Sequence, residues 1–207
     1  KLVDENHDGE VDFYENFCNL VGQTAESREF PNDMVKIPGG GFFIAKPGQV
    51  SHTRGLHNGT ICQIAPDGRS FQVIARGFRQ PFIGYDPKKK LLTSSDQQGN
   101  WVPATPIHVV EPGQHFGFLP LKEKEQPQPV TEPLVWAPHF LNQSGASQVT
   151  NHDERFGPLA GELLHIGFNR PERFQIYPDG AIASLLSGCK TGTLKAAVNP
   201  LDGQLYV

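Results

Sequence analysis

The sequence predicts an all-β protein of the β-propeller class, built from four-stranded antiparallel blades. Of the 207 residues, 22 are glycine and 18 are proline, and this share of turn-forming residues leaves little room for long helices. Three segments have the pattern of a strand, a tight turn and a second strand, at 33–45, 81–95 and 196–207. Repetition of one hairpin unit along a chain is typical of propellers.

The spacing of the hairpins supports this class. Their second strands are expected to start at Phe42, Leu91, Leu163 and Leu205. The intervals are 49, 72 and 42 residues, and propeller blades repeat about every 40–50 residues. The sequence QIAPDG at 63–68 also returns as QIYPDG at 175–180. The longest interval contains the charged, proline-rich stretch 121–133, which we predict to be a polar insertion.

Chain length indicates how much of a propeller to expect. About three to four blades of this repeat length fit in residues 1–207, whereas most propellers contain about four to eight. The repeat pattern is cut at both ends of the sequence. We therefore expect a single domain that is either a small propeller or part of a larger one.

Composition excludes several classes of function. A formal charge of −4 gives no support for nucleic-acid binding, which requires a basic surface. No stretch approaches 18 consecutive apolar residues, so no membrane span is predicted. The cysteines Cys18, Cys62 and Cys189 form no C-x-x-C pair, which argues against a thiolate zinc site. Buried free thiols are the simpler interpretation, with a single disulfide as the alternative.

The stretch DENHDGEVDFYE, from Asp4 to Glu15, matches a 12-residue calcium loop. Calcium binds six to eight oxygen ligands, and such a loop supplies them from alternate positions around a central glycine, here Gly9. The candidate ligands are Asp4, Asn6, Asp8, the carbonyl of Glu10, Asp12 and Glu15. The alternative is a solvated acidic turn without metal, because Asp, Asn and Gly favour turns on their own.

The flanking sequence argues against a calcium sensor. An EF-hand has a helix on each side of its loop, but only residues 1–3 precede this one. The following residues 13–22 could form a short helix before Gly22, and no second loop of this kind occurs in the chain. We predict a structural calcium site between strands and rank a calcium-responsive switch last.

The segment GTICQIAPDGRSFQVIARGFRQPFIGYDPKKKLLTSSDQQGNW resembles a central blade of the soluble quinoprotein sugar dehydrogenases and their sorbosone-dehydrogenase-like relatives. The family pattern is a G-x-[LIV]-x-[RK]-[IV]-x-P-D-G strand, then G-[FLH]-R-N-P, then D-x-x-G-N. Residues 59–68, 77–81 and 96–100 match these elements in order. The later segments EPGQHFGFLP, VWAPHFLNQSGASQV and FGPLAGELLHIGF resemble the turn and the blade that follow. Multidomain relatives also carry loops like the one at 4–15.

The resemblance implies a six-bladed propeller, or a fragment of one, whose axis holds pyrroloquinoline quinone (PQQ) together with calcium. In that chemistry a histidine takes the hydroxyl proton of a sugar or alcohol while hydride passes to the quinone. The resemblance assigns cofactor binding to Arg79 and the adjacent Gln80. A planar guanidinium suits paired carbonyl oxygens better than lysine does. The alternative role for Arg79 is a structural ion pair at a strand end.

The chain departs from the family pattern at three places. Gln80 stands where the family has asparagine, and Gln114 replaces the second glycine of a G-G turn. The family's catalytic histidine has no clear match, because His57 lies in a His-Asn-Gly sequence but in the wrong blade order. The catalytic residues are therefore left unassigned. A non-catalytic propeller that binds carbohydrate or a partner protein is the alternative function.

The resemblance also indicates a cellular setting and partners. It implies a periplasmic or extracellular protein that acts on a sugar or polyol. Further propeller blades, or a fused electron-transfer domain, are expected partners of this chain.

Overall fold

The chain folds almost entirely as β-strands and turns. The computed structural model describes residues 1–49, 55–99, 101–119, 129–168, 170–187 and 193–207. Helical structure in these residues is limited to two short 3-10 helices, Ser27–Glu29 and Glu154–Leu159. The all-β prediction is confirmed.

Three four-stranded antiparallel sheets form the body of the protein, and we call them blades 1, 2 and 3. Blade 1 contains β3 (Asp33–Lys36), β4 (Phe42–Lys46), β5 (Thr60–Ile64) and β6 (Phe71–Arg76). Blade 2 contains β7 (Pro81–Asp86), β8 (Leu91–Asp96), β9 (Ala104–Val109) and β10 (Val135–Pro138). Blade 3 contains β11 (Gly145–Thr150), β12 (Leu163–Gly167), β13 (Arg170–Tyr177) and β14 (Gly180–Leu185). In each blade the strands pair in the order in which they follow one another.

Two short hairpins complete the described structure. β1 (Leu2–Val3) pairs with β2 (Phe13–Tyr14), and β15 (Ala197–Val198) pairs with β16 (Leu205–Tyr206). The second strand of each predicted hairpin begins at the expected residue, since β4, β8, β12 and β16 start at Phe42, Leu91, Leu163 and Leu205. Alternating apolar residues with Pro/Gly turns therefore predicted these hairpins correctly.

The first strand of each blade lies at its inner edge. β7 of blade 2 contacts both β3 of blade 1 and β11 of blade 3, while the fourth strands lie outermost. Asp33, at the start of β3, accepts a hydrogen bond from the N–H of Ile83 in β7 at 2.8 Å. This radial arrangement of four-stranded meanders is that of propeller blades.

Apolar side chains from facing sheets form the core between blades. One cluster joins blades 1 and 2 through Phe43, Ile61, Phe78, Ile83 and Phe116. Another joins blades 2 and 3 and includes Ile107, Ala137, Leu163 and Phe174. The blades are thus held by their faces, and their polar loops remain at the two ends of the sheets.

The segment after β2 is irregular and contains no helix, so the short helix considered for residues 13–22 is wrong. Phe17, Cys18 and Val21 instead pack on the outer face of blade 1. The N–H of Gly22 donates to Nδ1 of His57 at 2.7 Å. Backbone groups that bond to the blade cannot also close helical turns, and the apolar side chains gain a flat surface to cover.

Three predictions concern residues only partly within the described structure. Of the proposed insertion 121–133, residues 121–128 lie outside the described residues. Cys18 and Cys62 are free thiols, and Cys189 is outside the described residues. No helix in the described ranges has the length and apolar character needed to cross a membrane.

Candidate functional site

Four loops meet at one end of the three blades. Because neighbouring strands are antiparallel, a blade's first strand starts at the same end at which its second strand finishes. We call this the upper end and the opposite one the lower end. The upper end carries Arg79 and Gln80 before β7, Gln97 and Gln98 after β8, Gln49 after β4, and Ser144 before β11. Arg79 and Gln80, singled out by the sequence, therefore lie among residues of all three blades.

The backbone of Arg79 and Gln80 has a hydrogen-bond partner for each of its four polar groups. Both N–H groups donate to the Asp96 carboxylate, Arg79 to Oδ2 at 2.7 Å and Gln80 to Oδ1 at 2.5 Å. The carbonyl of Arg79 accepts from the N–H of Gly48 at 3.0 Å, and that of Gln80 from the N–H of Gln97 at 3.2 Å. This corner of the chain is consequently fixed from both sides.

The partly buried Arg79 side chain lies against the loop that follows β8. Its Nη1 donates to Oε1 of Gln97 at 3.1 Å and to the carbonyl of Gln97 at 3.4 Å. Gly99 has φ +51°, and a Cβ at that position would lie 2.3 Å from Cζ of Arg79. Glycine at 99 therefore leaves the space that the guanidinium occupies.

Glutamine side chains connect the site to the neighbouring blades. Gln80 Oε1 accepts from Gln49 Nε2 of blade 1 at 3.0 Å. Gln97 Nε2 donates to Oγ of Ser144, before blade 3, also at 3.0 Å. Ser144 has φ +58°, in the left-handed region that non-glycine residues seldom adopt. The loop before β11 thus has a strained residue where it contacts the site.

Gln98 links the same two loops and orients His139. Its Oε1 accepts from Thr105 Oγ1 at 3.1 Å and from the N–H of Ser144 at 3.4 Å. These donors fix the amide so that Nε2 of Gln98 faces Nε2 of His139, at 3.0 Å. Since the amide nitrogen donates, Nε2 of His139 is the acceptor, and a neutral His139 carries its proton on Nδ1.

Asp96 is the most perturbed group of the site. Its side chain is completely buried, and burial raises its pKa to about 7. The N–H groups of Arg79 and Gln80 and the charge of Arg79 stabilise the carboxylate and oppose that effect. Perturbed carboxylates of this kind concentrate at functional sites, although structural networks also produce them.

A buried polar cluster lies beneath the loop that carries Ser144. Nδ1 of His165 is 3.1 Å from Oε2 of Glu172, and Nδ2 of Asn142 donates to the same oxygen at 2.8 Å. The His165 and Glu172 side chains are 0% and 1% exposed. Asn142 anchors the loop before β11 through these contacts. No short-range sequence signal predicts this cluster, because its members come from three separate segments.

The predicted calcium loop folds between strands β1 and β2, which supports the expected setting and argues against a helix-flanked sensor. Asp4 accepts from the N–H of His7 at 2.7 Å and from the N–H of Gly9 at 2.9 Å. Asp12 accepts from the N–H of Glu5 at 2.7 Å. The Asn6 and Asp8 side chains each accept a hydrogen bond from the loop backbone two residues on.

The remaining candidate ligands do not form a carboxylate cage. The carboxylate of Glu15 lies 3.2 Å from Nζ of Lys1. Across the described ranges, no three His, Cys, Asp or Glu side chains are grouped in a way that could hold a metal. The calcium ligands Asp4, Asn6, Asp8, Glu10, Asp12 and Glu15 thus remain a prediction.

His57, in the loop between β4 and β5, has a structural role. It is 9% exposed, and its ring packs edge-on against Phe71 at 4.9 Å between centroids. Because Nδ1 accepts the Gly22 N–H, that nitrogen is not available as a base. This placement agrees with the sequence, in which the His-Asn-Gly segment of His57 lies in the wrong blade order for the family's catalytic histidine.

Solved propeller structures of sugar dehydrogenases share this fold. The PQQ-bound aldose sugar dehydrogenase of Streptomyces coelicolor is 14% identical with a TM-score of 0.59, and the match covers 79% of this chain and 51% of that one. A putative oxidoreductase (glucose dehydrogenase) of Thermus thermophilus is 16% identical with a TM-score of 0.63, covering 88% and 60%. The soluble aldose sugar dehydrogenase of Escherichia coli is 13% identical with a TM-score of 0.59, covering 84% and 58%.

These comparisons concern structure alone. Neither a protein-family profile nor a curated protein matches the sequence. The chain spans 51% to 60% of the length of the three solved structures. At such low identity the likeness establishes the fold, and the resemblance to the quinoprotein sugar dehydrogenases predicted from the ordered motifs is confirmed at that level.

Proposed function

We propose that the protein is a PQQ-dependent dehydrogenase of sugars or related alcohols, and that Arg79 and Gln80 contact the cofactor. The observation that carries the proposal is the position of Arg79. Its guanidinium lies at the upper end of the innermost strand of blade 2, on a corner whose backbone polar groups are all bonded. The motifs at 59–68, 77–81 and 96–100, and the PQQ-bound protein of similar fold, support the same function.

The donor set fits a flat quinone that carries carboxylates. A guanidinium donates parallel N–H groups to paired oxygens. Nη1 of Arg79 is held by Gln97, while Nη2 and Nε donate to no other residue in the described part of the chain. Oε1 of Gln49 is buried there without a hydrogen-bond partner and offers an acceptor beside Gln80. The guanidinium, the glutamine amides and the free acceptor oxygen together suit a ligand of this kind.

Each residue then has a defined task. PQQ supplies the hydride acceptor when bound. Arg79 would bind oxygen atoms of the cofactor, and Gln97 would hold the guanidinium in orientation. Gln80 would contact the cofactor while its side chain is held by Gln49. The proposal assigns no catalytic base, since His57 is bonded elsewhere.

A titration with PQQ tests the proposal. Quinone absorbance and tryptophan quenching should show saturable binding near one equivalent in the unmodified protein. Arg79→Ala should weaken binding at least tenfold, since a charge-assisted bidentate contact is worth about 1.5–3 kcal/mol. Arg69→Ala, which changes an exposed arginine in the β5–β6 turn, is the matched control and should bind as the unmodified protein does. Absence of binding by the unmodified protein would overturn the proposal.

A second candidate is a non-catalytic propeller that binds carbohydrate or a partner protein. Gln80 favours it, because the family pattern has asparagine there and the Gln80 side chain is already bonded to Gln49. This function predicts a folded protein without affinity for PQQ. Glycan arrays would then be the next measurement.

We also propose that residues 4–15 bind calcium as a structural clamp. The turn between β1 and β2 supports this, as does the match of Asp4, Asn6, Asp8, Asp12 and Glu15 to the ligand positions. Binding requires Glu15 to leave Lys1 and turn toward the other ligands. A clamp raises stability by mass action, by about 2.7 kcal/mol at 100 times Kd.

Calorimetry and thermal melting with and without calcium test the clamp. Calcium should raise Tm without a large change in circular dichroism, and EGTA should reverse the gain. Asp8→Ala should remove the effect, whereas Glu5→Gln, at a position that supplies no ligand, should retain it. A large conformational change on adding calcium would favour a switch, and no heat of binding would leave a metal-free acidic turn.

The proposed setting follows from the proposed function. We propose a periplasmic or extracellular location and a sugar or polyol as substrate. Further blades or an electron-transfer domain would complete the ring and the route for electrons. By the resemblance, calcium would also be bound with the quinone and would polarise it.

A further inference from the structure

We infer that Asp96 is the positioning residue of the upper-end site, where one carboxylate fixes Arg79 and Gln80 through their backbone N–H groups. The inference rests on the proposed function for its effect on ligand binding. The structural part of the inference, that Asp96 fixes the backbone of Arg79 and Gln80 before β7, does not depend on the proposed function. Asp96 contacts no ligand in this scheme and acts through the two residues that do.

The register at the start of β7 shows which ladder bond Asp96 replaces. Asp96 is the last residue of β8 and is paired in register with Pro81, the first residue of β7. The carbonyl of Gln80 accepts from the N–H of Gln97, so Pro81 and Asp96 form a non-hydrogen-bonded pair and the missing proline N–H costs no ladder bond. The two N–H groups just before Pro81 belong to Arg79 and Gln80, and the Asp96 side chain accepts both. In a regular ladder the N–H of Gln80 would donate to the carbonyl of Gln97, and the Asp96 side chain accepts this N–H instead.

Only a carboxylate provides this pair of acceptors at this length. Its two oxygens are used by different donors, Oδ2 by Arg79 and Oδ1 by Gln80. Asparagine would offer one oxygen and place an N–H group against the other donor. Because Asp96 is 0% exposed, water does not replace a lost acceptor readily. Loss of one bond should let the corner, and with it the Arg79 guanidinium, shift.

The lower end of β7 provides an internal control. Asp86, the last residue of β7, also accepts two consecutive backbone N–H groups, from Lys88 at 2.9 Å and Lys89 at 3.1 Å. Its side chain is 5% exposed, and it lies at the opposite end of the strand from Arg79. At Asp86 one oxygen, Oδ1, accepts both N–H groups, so an amide at this position can keep both bonds, whereas an amide at Asp96 must lose one.

The first test compares Asp96→Asn with Asp86→Asn at pH 8, using amide hydrogen exchange and PQQ affinity. Asp96→Asn should speed exchange at Arg79 or Gln80 at least tenfold and weaken PQQ binding at least tenfold. Asp86→Asn, which keeps an oxygen for both donors, should leave exchange at Lys88 and Lys89 and PQQ affinity unchanged. Unchanged exchange at Arg79 and Gln80 in Asp96→Asn would overturn the inference, as would unchanged affinity in a protein that binds PQQ.

A second measurement uses the unmodified protein and does not depend on the variant folding. Scalar couplings across the hydrogen bonds should join the amide nitrogens of Arg79 and Gln80 to Cγ of Asp96. Their absence at both amides would overturn the inference. If the unmodified protein binds no PQQ while the couplings and exchange behave as expected, the proposed function fails and the structural role of Asp96 stands.

Discussion

Strand β7 has a buried aspartate at each end, and the two carboxylates have different surroundings. At each end a buried aspartate accepts two consecutive backbone N–H groups, Asp96 above and Asp86 below. Asp86 also has His152 Nε2 at 2.7 Å and Lys89 Nζ at 3.9 Å. Among the described residues, the side-chain oxygens of Asp96 accept only backbone N–H groups.

The difference appears in the pKa values of the two carboxyls. Burial raises the pKa of Asp96 to about 7. Burial also acts to raise the pKa of Asp86, but hydrogen bonds from His152, Lys89 and Lys88 outweigh it and the pKa is lowered. At the lower end hydrogen bonds favour the ionised form of Asp86, whereas at the upper end burial disfavours the ionised form of Asp96. That contrast is one reason to place function at the upper end.

The largest expected effect concerns crowding at the upper end. At Gly145, the first residue of β11, a Cβ would lie 2.6 Å from Ser95 Oγ and 2.8 Å from His165 Nε2, both buried. Gly145→Ala should destabilise by about 1–3 kcal/mol, because overpacking forces side chains or backbone to shift. Gly180, where an added Cβ meets no atom within 4 Å, is the control. Urea unfolding of Gly145→Ala and Gly180→Ala measures both stabilities. Equal stability of the two variants would contradict the expected crowding at Gly145.

A second prediction uses pH. The folded pKa of Asp96, about 7, lies above the ordinary value, so the native state binds the proton more tightly than the unfolded chain. The free energy of unfolding therefore falls as pH rises from about 4 to about 7, relative to Asp96→Asn. The pH dependence expected from Asp86 is opposite, because its contribution to the free energy of unfolding is lost as pH falls through its lowered pKa. Denaturant midpoints of the unmodified protein, Asp96→Asn and Asp86→Asn across this pH range measure both effects. If the stability of the unmodified protein relative to Asp96→Asn increased with pH, the raised pKa of Asp96 would be refuted.

The smallest expected effect lies at the lower end. His152→Ala removes one hydrogen bond to Asp86 and leaves the bonds from Lys88 and Lys89 in place. Because His152 is 19% exposed, water can partly replace it, and we expect a loss of about 0.5–1.5 kcal/mol. PQQ affinity should not change. Weaker binding in this variant would show that the two ends are coupled through β7.

The sequence predicted those features that depend on neighbouring residues. Alternating apolar residues around Pro/Gly turns predicted the hairpins, including the starts of β4, β8, β12 and β16. The ordered motifs predicted the fold family and drew attention to Arg79 and Gln80. The helix considered for residues 13–22 is wrong, because Phe17 and Val21 pack against an apolar face of blade 1.

Only the tertiary structure brought the site together. Gln49, Gln97 and Ser144 come from three blades and meet because the first strands pack side by side. The Asn142–His165–Glu172 cluster and the burial of His57 likewise depend on contacts between distant segments. Strand periodicity is a local property and can be read along the chain. Which loops share one end of a propeller is set by packing between sheets, and no spacing within a single segment encodes it.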